Sequence, residues 1–294
     1  MLYGCETWTS LKSTDLNNLD RFQHFIVKHI LNLKTNTRSD MCQSLLGLHL
    51  IISEIDKKKL YFLQKLCTFD DSYISKKIFI VRLFSFFIDT NRIHYRFIPD
   101  VINILYKYQL HDYLIDFLST STFPDKQSWK IIVNSTVNSV QSDEWNSRIY
   151  SDTDFRRFIN IHKSVMMNNF WNKATSCGAI RDYYFITKML TVVPDSTPGV
   201  CSICVRNFSD VYVHACCNCN GTSDLRNVLW DIIIENFRLD LFVELSYYDE
   251  EDLFQIFLRK PVLTENIDTD EFSSLCHRHV VQCVNRFAKL AKFS

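Results

Sequence analysis

Apolar side chains recur every three or four residues through most of the chain, which is the spacing of one buried helix face. This pattern predicts successive helices, with apolar positions spanning 16–33, 52–66, 78–87, 99–117, 124–137, 155–171, 183–193, 225–247 and 270–293. Residues 1–8 are instead predicted to form a short strand. The sequence therefore predicts a mainly α protein, a multi-helix array with one small β-hairpin module near the C-terminus.

The composition supports continuous helices over turn-rich sheets. The 294 residues include five glycines and five prolines, and 47% of them are hydrophobic, so a core can form without many tight turns. The glycines are widely separated, which excludes a glycine-rich phosphate-binding loop. No serine lies in a nucleophile-elbow sequence, and no two histidines have metalloprotease spacing.

The apolar stretches are too short to predict a membrane span. The longest of them, 78–88, is interrupted by Arg82, whereas a spanning helix needs roughly 20 apolar residues. We expect this stretch to be buried in the protein. The first ten residues do not have the pattern of a signal peptide, so an intracellular location, nuclear or cytoplasmic, is expected. The eleven cysteines are then expected to be thiols or metal ligands.

Charge is spread unevenly along a chain whose formal net charge is +0. Residues 1–98 contain 14 Lys and Arg against 9 Asp and Glu, while residues 199–252 contain 3 against 10. The N-terminal third is therefore the part predicted to bind a polyanion, and the alternative is that its charges are ordinary solvated helix faces. Together with a Pro- and Gly-containing breaker cluster at 193–199, these shifts predict four segments: 1–70, 71–198, 199–247 and 248–294.

The third segment contains a pattern typical of a zinc site. Cys201 and Cys204 are followed by His214 and Cys219, in the order C-x2-C-x9-H-x4-C. Zinc takes four such sulfur and nitrogen ligands in a tetrahedron, and a C-x2-C turn can present two sulfurs to one ion. The nine intervening residues allow a hairpin, with 211–213 as its returning strand. Four protein ligands would close the site, so a structural Zn²⁺ is predicted.

The fourth ligand is open at this point, because Cys216 and Cys217 compete with Cys219. We favour Cys219, since His214 and Cys216 would crowd two ligands onto one strand face. The alternative for the whole pattern is a thin core of free cysteines. Three thiolates around one Zn²⁺ would add to an already acidic segment, which favours a protein partner over phosphates at this module.

A second group of potential ligands occurs near the C-terminus. Cys276, His279 and Cys283 share one helix face, next to His277. Apolar residues lie on or beside the same face, so a core helix is favoured over a second metal site.

Two parts of the chain resemble one known family. Residues Leu2 to Trp8, LYGCETW, are similar to a motif of non-LTR, LINE-type retrotransposon reverse transcriptases. The run from Phe22 to Leu33 resembles the helix that follows in that family, and the run from Ile55 to Leu63 resembles its next basic and apolar segment. The Cys/His pattern, followed by Arg226 and by Leu229 and Trp230, repeats a later feature in the same order.

The resemblance implies a thumb-like first segment beside a primer–template duplex, followed by a Cys/His zinc-binding region. The phosphate contacts would be basic side chains in this segment: Lys28, Lys34, Arg38, Lys57, Lys58 and Lys59. Successive helix residues turn by about 100°, so only one or two of Lys57–Lys59 can face one duplex. The partner would be an RNA or DNA duplex or hybrid.

The same resemblance implies that this chain is not an enzyme. In the family the polymerase carboxylates precede the LYGxETW motif and an endonuclease domain precedes the polymerase, so we expect a non-catalytic C-terminal remnant. Tyr247 to Glu250 are expected to form a solvated acidic turn. The alternative function is a structural or protein-interaction helical protein stapled by zinc, with no nucleic-acid role.

Overall fold

The structure, a computed structural model, describes residues 2–9, 11–88, 96–151, 158–159, 162, 165, 180–191, 199–258 and 269–291. The predicted helix over 155–171 and the breaker cluster at 193–199 lie largely outside these residues. The helices are α1 Ser13–Ile30, α2 Ser39–Leu46, α3 Ile51–Thr68, α4 Ile74–Ile88, α5 Phe97–Lys107, α6 Asp112–Thr120, α7 Lys126–Tyr150, α8 Ile180–Leu190, α9 Ser223–Asn236, α10 Leu239–Ser246, α11 Glu250–Leu258 and α12 Thr269–Ala291.

One small sheet accompanies these helices in the described part of the chain. Strands β1 Gly199–Val200 and β2 Asn207–Phe208 pair antiparallel, with Gly199 opposite Phe208 and Val200 opposite Asn207. The mainly helical class with a small hairpin near the Cys/His cluster is thus confirmed.

Three local predictions were wrong. Residues 5–7 form a 3₁₀ turn after Gly4, whose φ of 70° is left-handed, and not a strand. The run over 99–117 is two helices, because Gln109 adopts a φ of 55° and the Leu110 amide donates back to the Leu105 carbonyl, which ends α5. The run over 225–247 is likewise divided at Arg238, whose φ is 150°.

The helices form two compact units that are discontinuous in sequence. Unit 1 contains Met1–Val27 and Gly47–Ser147, and unit 2 contains Lys28–Leu46 and Arg148–Ser294. The four-segment division of the sequence remains a prediction.

The main core of unit 1 lies around α3, α5 and α7. Trp129 on α7 is buried and its indole Nε1 donates to the Leu60 carbonyl on α3 at 2.8 Å. The Tyr61 hydroxyl also donates to Asn134 Oδ1 at 2.7 Å. Because a buried indole N–H costs free energy unless it has a partner, these bonds fix the register of α7 on α3.

A smaller core joins the opening residues to α1 and α3. Cys5 is fully buried with Ile51 and Ile55 of α3, and Trp8 and Leu16 pack against this group. Leu2, Cys5 and Trp8 of the LYGCETW motif are therefore part of the packing of unit 1, whereas Tyr3 is exposed.

Helix α4 contains the longest apolar stretch, and the expectation that it is buried was only half right. Phe79 and Leu83 join the core of unit 1, whereas Ile74 and Ile88 on the other side are 74% and 79% exposed. No helix among the described residues is both long enough and apolar enough to cross a membrane.

A buried carboxylate connects α3 to the end of α5. Asp56 accepts hydrogen bonds from the Tyr108 hydroxyl at 2.9 Å and from Lys107 Nζ at 3.0 Å. Burial, and then the charge of Asp56, raises the pKa of Tyr108 to about 12, so the phenol remains a donor at neutral pH.

We predict that Tyr108→Phe destabilises unit 1 by about 1–3 kcal/mol, because Asp56 would lose a donor while staying buried. Chemical denaturation followed by circular dichroism measures this change. Tyr106→Phe is the matched control, since the Tyr106 ring on the same helix is 60% exposed. Equal stability of the two variants would contradict a stabilising role for the Tyr108 hydroxyl.

Unit 2 is organised by α12. This helix contacts α8, α9, α11 and the turns of residues 214–222. The α12 residues Phe272, Cys276, Val280 and Cys283 are buried. The core of unit 2 therefore lies directly behind the Cys/His segment.

Candidate metal centre

The hairpin positions the first two cysteines. Cys201 follows β1, and its amide donates to the Arg206 carbonyl at 2.9 Å, while the Val205 amide donates to the Cys201 carbonyl at 2.9 Å. The Ile203 amide also points at Cys201 Sγ, at 3.4 Å. This tight turn presents the sulfurs of Cys201 and Cys204 on one side, as the C-x2-C spacing predicted.

The return path differs from the predicted one. Val211–Val213 form a helical turn and not the returning strand, which is β2 instead. Asp210 caps this turn, because its Oδ1 accepts from the amides of Tyr212 at 2.7 Å and Val213 at 3.0 Å. An Asp just before a helical turn is a familiar N-cap signal, so the identity of Asp210 could have predicted this turn.

The other two ligands are placed by a π-turn. Residues His214–Asn218 form one such turn, and the Cys219 amide donates to the His214 carbonyl at 2.8 Å. In an α-helix, residues five apart point in different directions, since each residue advances by about 100°. The wider π-turn brings the side chains of His214 and Cys219 to the same side.

The four predicted ligands converge. Their ligand atoms all lie within 4.8 Å of one another. Cys201 Sγ is 3.9 Å from Cys219 Sγ, and Cys204 Sγ is 3.3 Å from His214 Nε2. A tetrahedral ion with the usual bond lengths would separate two sulfurs by about 3.8 Å and sulfur from nitrogen by about 3.6 Å. The cluster can therefore hold a metal ion.

The protonation of the ligands is shaped by their surroundings. Burial raises the pKa of Cys219 to about 11. Burial raises the pKa of Cys204 as well, but several hydrogen bonds to its sulfur lower it by more. The first of these comes from the Arg206 amide, and the pKa of this thiol lies below its ordinary value. Burial lowers the pKa of His214, which keeps the imidazole neutral. A neutral imidazole and a thiolate are the forms that bind metal, so His214 and Cys204 favour binding, whereas Cys219 would have to release its proton to the solvent when a metal binds.

Aromatic side chains enclose the imidazole. The Phe208 ring stacks on His214 with centroids 5.2 Å apart, and Phe287 of α12 meets it edge-on at 6.0 Å. These contacts fix the orientation of the ring, as supporting residues do in metal sites.

The residues after the cluster that carry the family resemblance, Arg226, Leu229 and Trp230, make packing and hydrogen-bond contacts within unit 2. Arg226 donates to the Thr222 hydroxyl at 2.9 Å, and that hydroxyl donates to the Ala215 carbonyl at 2.7 Å. Leu229 is buried, and Trp230 meets Phe242 edge-on. These side chains pack α9 behind the turns that present the ligands.

The competing cysteines point elsewhere. Cys217 Sγ lies 3.5 Å from the Glu250 carbonyl, and fully buried Cys216 lies 4.0 Å from the Val280 carbonyl. Cys219 is the member of this group that joins the cluster.

The second group, on α12, belongs to the core. Cys276 is fully buried, His277 Nε2 lies 3.3 Å from the Leu258 carbonyl, and His279 contacts Cys283 Sγ at 3.5 Å. Hydrogen bonds from Cys216 and then His279 hold the pKa of Cys283 at about 5, although burial opposes this. Across the described residues, Cys201, Cys204, His214 and Cys219 form the one group of three or more potential ligands that are close enough together to hold a metal ion.

The lysine run of α3 is mostly engaged within unit 1. Lys57 pairs with Glu54 at 2.6 Å, and Lys59 pairs with Asp100 at 3.0 Å; both side chains are buried. Lys58 is partly exposed, and its Nζ donates to the Leu2 carbonyl at 2.6 Å. Their burial and pairing do not favour phosphate contacts by Lys57 and Lys59, which leaves Lys58 as the candidate from this run.

The other predicted phosphate contacts belong to unit 2. Lys28 is partly exposed and donates to the Thr35 carbonyl at 2.7 Å, while Lys34 and Arg38 are exposed. Nucleic-acid binding by these residues stays a prediction.

Comparisons with known proteins do not identify a family for this chain. No protein-family model, curated protein or solved structure matches the chain.

We predict that Cys219→Ser lowers the intensity of the thiolate-to-metal absorption of the Co²⁺-loaded protein, because two of the three sulfurs remain, and weakens metal affinity at least about tenfold. Cys217→Ser is the matched control, because its sulfur faces Glu250 and not the cluster. A weaker absorption in Cys217→Ser, with Cys219→Ser unchanged, would contradict the assignment.

We predict that Val205→Gly stabilises the metal-loaded protein by about 1 kcal/mol. Val205 has a φ of 60°, which is strained for a β-branched residue, and its side chain is 78% exposed. Val200→Gly is the control, since Val200 is also exposed but lies in extended strand β1, where Gly should destabilise. Thermal unfolding of the two variants should shift in opposite directions.

Proposed function

We propose that this protein is a non-catalytic, nucleic-acid-binding relative of the C-terminal region of LINE-type reverse transcriptases, with unit 2 stapled by a structural Zn²⁺. The observation that carries the proposal is the convergence of Cys201, Cys204, His214 and Cys219, at the places where the resemblance expects a Cys/His site.

The chemistry of the donor set supports zinc. Three thiolates and one imidazole in a tetrahedral arrangement suit Zn²⁺ better than the hard cations, which prefer oxygen. Four protein ligands leave no position for a water molecule, and a catalytic zinc keeps one open. The role we propose for the ion is therefore to connect the hairpin to the turns of residues 214–222.

The nucleic-acid role is supported by charge and by the packing of the opening motif. The first 98 residues have an excess of five basic side chains, and phosphate neutralisation supplies much of the affinity for nucleic acid. Leu2, Cys5 and Trp8 of the LYGCETW motif pack with residues of α1 and α3, so the motif and the two helices that resemble the next parts of the family form one structural group. Lys28, Lys34, Arg38 and Lys58 are the proposed contacts from the sequence.

A second candidate function is protein binding through α10 and α11. Leu239 begins α10 and Tyr247 follows its last residue; they are 62% and 85% exposed, and both α10 and α11 contain acidic residues. Exposed apolar side chains beside acidic helices suit a basic protein partner better than a phosphate backbone.

The proposal predicts one zinc per chain by elemental analysis and salt-dependent binding of labelled duplex and hybrid by fluorescence anisotropy. The logarithm of affinity should fall linearly with the logarithm of salt concentration, because bound phosphates release counterions. Removal of the metal with a chelator should lower the melting temperature of unit 2.

Two results would count against the proposal. Absence of measurable affinity for any nucleic acid at low salt would remove the nucleic-acid role and leave protein binding. An unchanged melting temperature in the zinc-free protein would show that the ion does not stabilise unit 2.

A further inference from the structure

Unit 1 contains a groove between α3 and α7 that the sequence analysis did not identify. Its volume is about 720 Å³. Four of its lining side chains are lysines: Lys58 and Lys65 on α3, and Lys126 and Lys130 on α7. Glu6 is the single acidic side chain that lines it among the described residues.

The lysines lie at regular intervals on the two walls. Lys58 and Lys65 are two helical turns apart, and Lys126 and Lys130 are one turn apart, which corresponds to about 10 Å and about 6 Å along the helix axes. Lys65, Lys126 and Lys130 are exposed. The groove therefore presents a line of positive charge on each side.

Aromatic rings lie between these charges. Tyr61, Phe62 and Phe69 line the groove and are partly exposed. Lys65 Nζ lies 5.6 Å from the centre of the Phe69 ring, so a cation and a ring face the same space. Aromatic faces beside lysines are what proteins use to bind bases and phosphates of single strands.

The base of the groove is rigid. Trp129 lies beneath it with its indole bonded to Leu60, and Gln64 Nε2 donates to the Pro124 carbonyl at 3.3 Å. These bonds tie the two walls together, so the lysines and rings are positioned before a ligand arrives. Such preorganisation lowers the entropy cost of binding.

We propose that the groove binds single-stranded nucleic acid, with phosphates on Lys65, Lys126 and Lys130 and with bases on the rings of Tyr61, Phe62 and Phe69. The inference rests on the nucleic-acid role of the proposed function and adds a site for a single strand to the duplex contacts proposed there. A groove of about 720 Å³ between two helices is too small to enclose a duplex, so a single strand is the form of nucleic acid that fits it. An acidic peptide would use the lysines but would leave the aromatic faces without a role.

The test uses the full-length, zinc-loaded protein and a labelled oligothymidylate, followed by fluorescence anisotropy across a salt series. The triple variant Lys65→Ala, Lys126→Ala, Lys130→Ala should bind at least about tenfold more weakly at low salt. The slope of the logarithm of its affinity against the logarithm of salt concentration should be smaller in magnitude by about 2, because each neutralised phosphate on a single strand contributes about 0.7 to that slope. Phe69→Leu should weaken binding about fivefold or more through lost stacking.

Matched controls separate the groove from general charge and stability. The triple variant Lys12→Ala, Lys77→Ala, Arg82→Ala removes three exposed cations of unit 1 that lie outside the groove, and Phe84→Leu removes an exposed ring of α4. Both should bind within about twofold of the unmodified protein, and circular dichroism should show all four variants folded.

Each alternative result has a definite meaning. Full affinity of the groove triple variant, with the unmodified protein binding, overturns the groove and leaves the proposed function standing. Equal weakening in the control triple overturns it as well, since general charge would then explain binding. Tighter, Phe69-independent binding of polyglutamate would make the groove a site for acidic peptides. If the unmodified protein binds no nucleic acid, the inference and the nucleic-acid role both fail.

Discussion

The segment from 199 to 222 depends on the convergence of three thiols and one imidazole. It contains few large apolar side chains, and its sheet consists of two residues in each strand. A hairpin of this size is marginal in water on its own, and the turns of residues 214–222 add stability by packing against α12. A metal ion held by ligands from both ends of the segment would add to this packing, because its binding free energy becomes folding free energy. The same four side chains link the hairpin to the turns that pack against α12.

The periodicity of the apolar residues predicted the helices well, and its failures have a common physical cause. The apolar spacing continues through Gln109 and Arg238, yet both residues have positive φ angles, which end α5 and separate α9 from α10. Non-glycine residues rarely adopt such angles, so the sequence gives no signal for the break. The strand predicted over Val211–Val213 failed for another reason. Valine favours strands, but the Asp210 side chain caps a helical turn at these residues.

The metal ligands could be predicted further than the basic surface. Ligand identity follows from residue type and spacing, so Cys201, Cys204 and His214 were identifiable. Cys219 was favoured from the sequence on the assumption of a strand, whereas the structure brings it to the cluster through a π-turn. A run of lysines says less, because each successive residue points about 100° further around the helix. Lys57 pairs with Glu54 at the i,i+3 spacing of a helical ion pair, which the sequence can reveal, whereas no spacing rule pairs Lys59 with Asp100 of another helix. The lysines on the α3 wall of the groove are separated from those on the α7 wall by more than 60 residues, so folding alone brings the two walls together.

The discontinuity of the two units limits how this sequence can be divided or inherited. Unit 1 draws on residues before Val27 and again after Gly47, and the core around Leu60 and Leu63 is completed by Val101 and Trp129. Excision of a gene segment at residue 70 would therefore expose apolar surface on both products. Residues 1–70 are therefore not a transferable block, and even residues 1–147 would separate Lys28–Leu46 from the rest of unit 2.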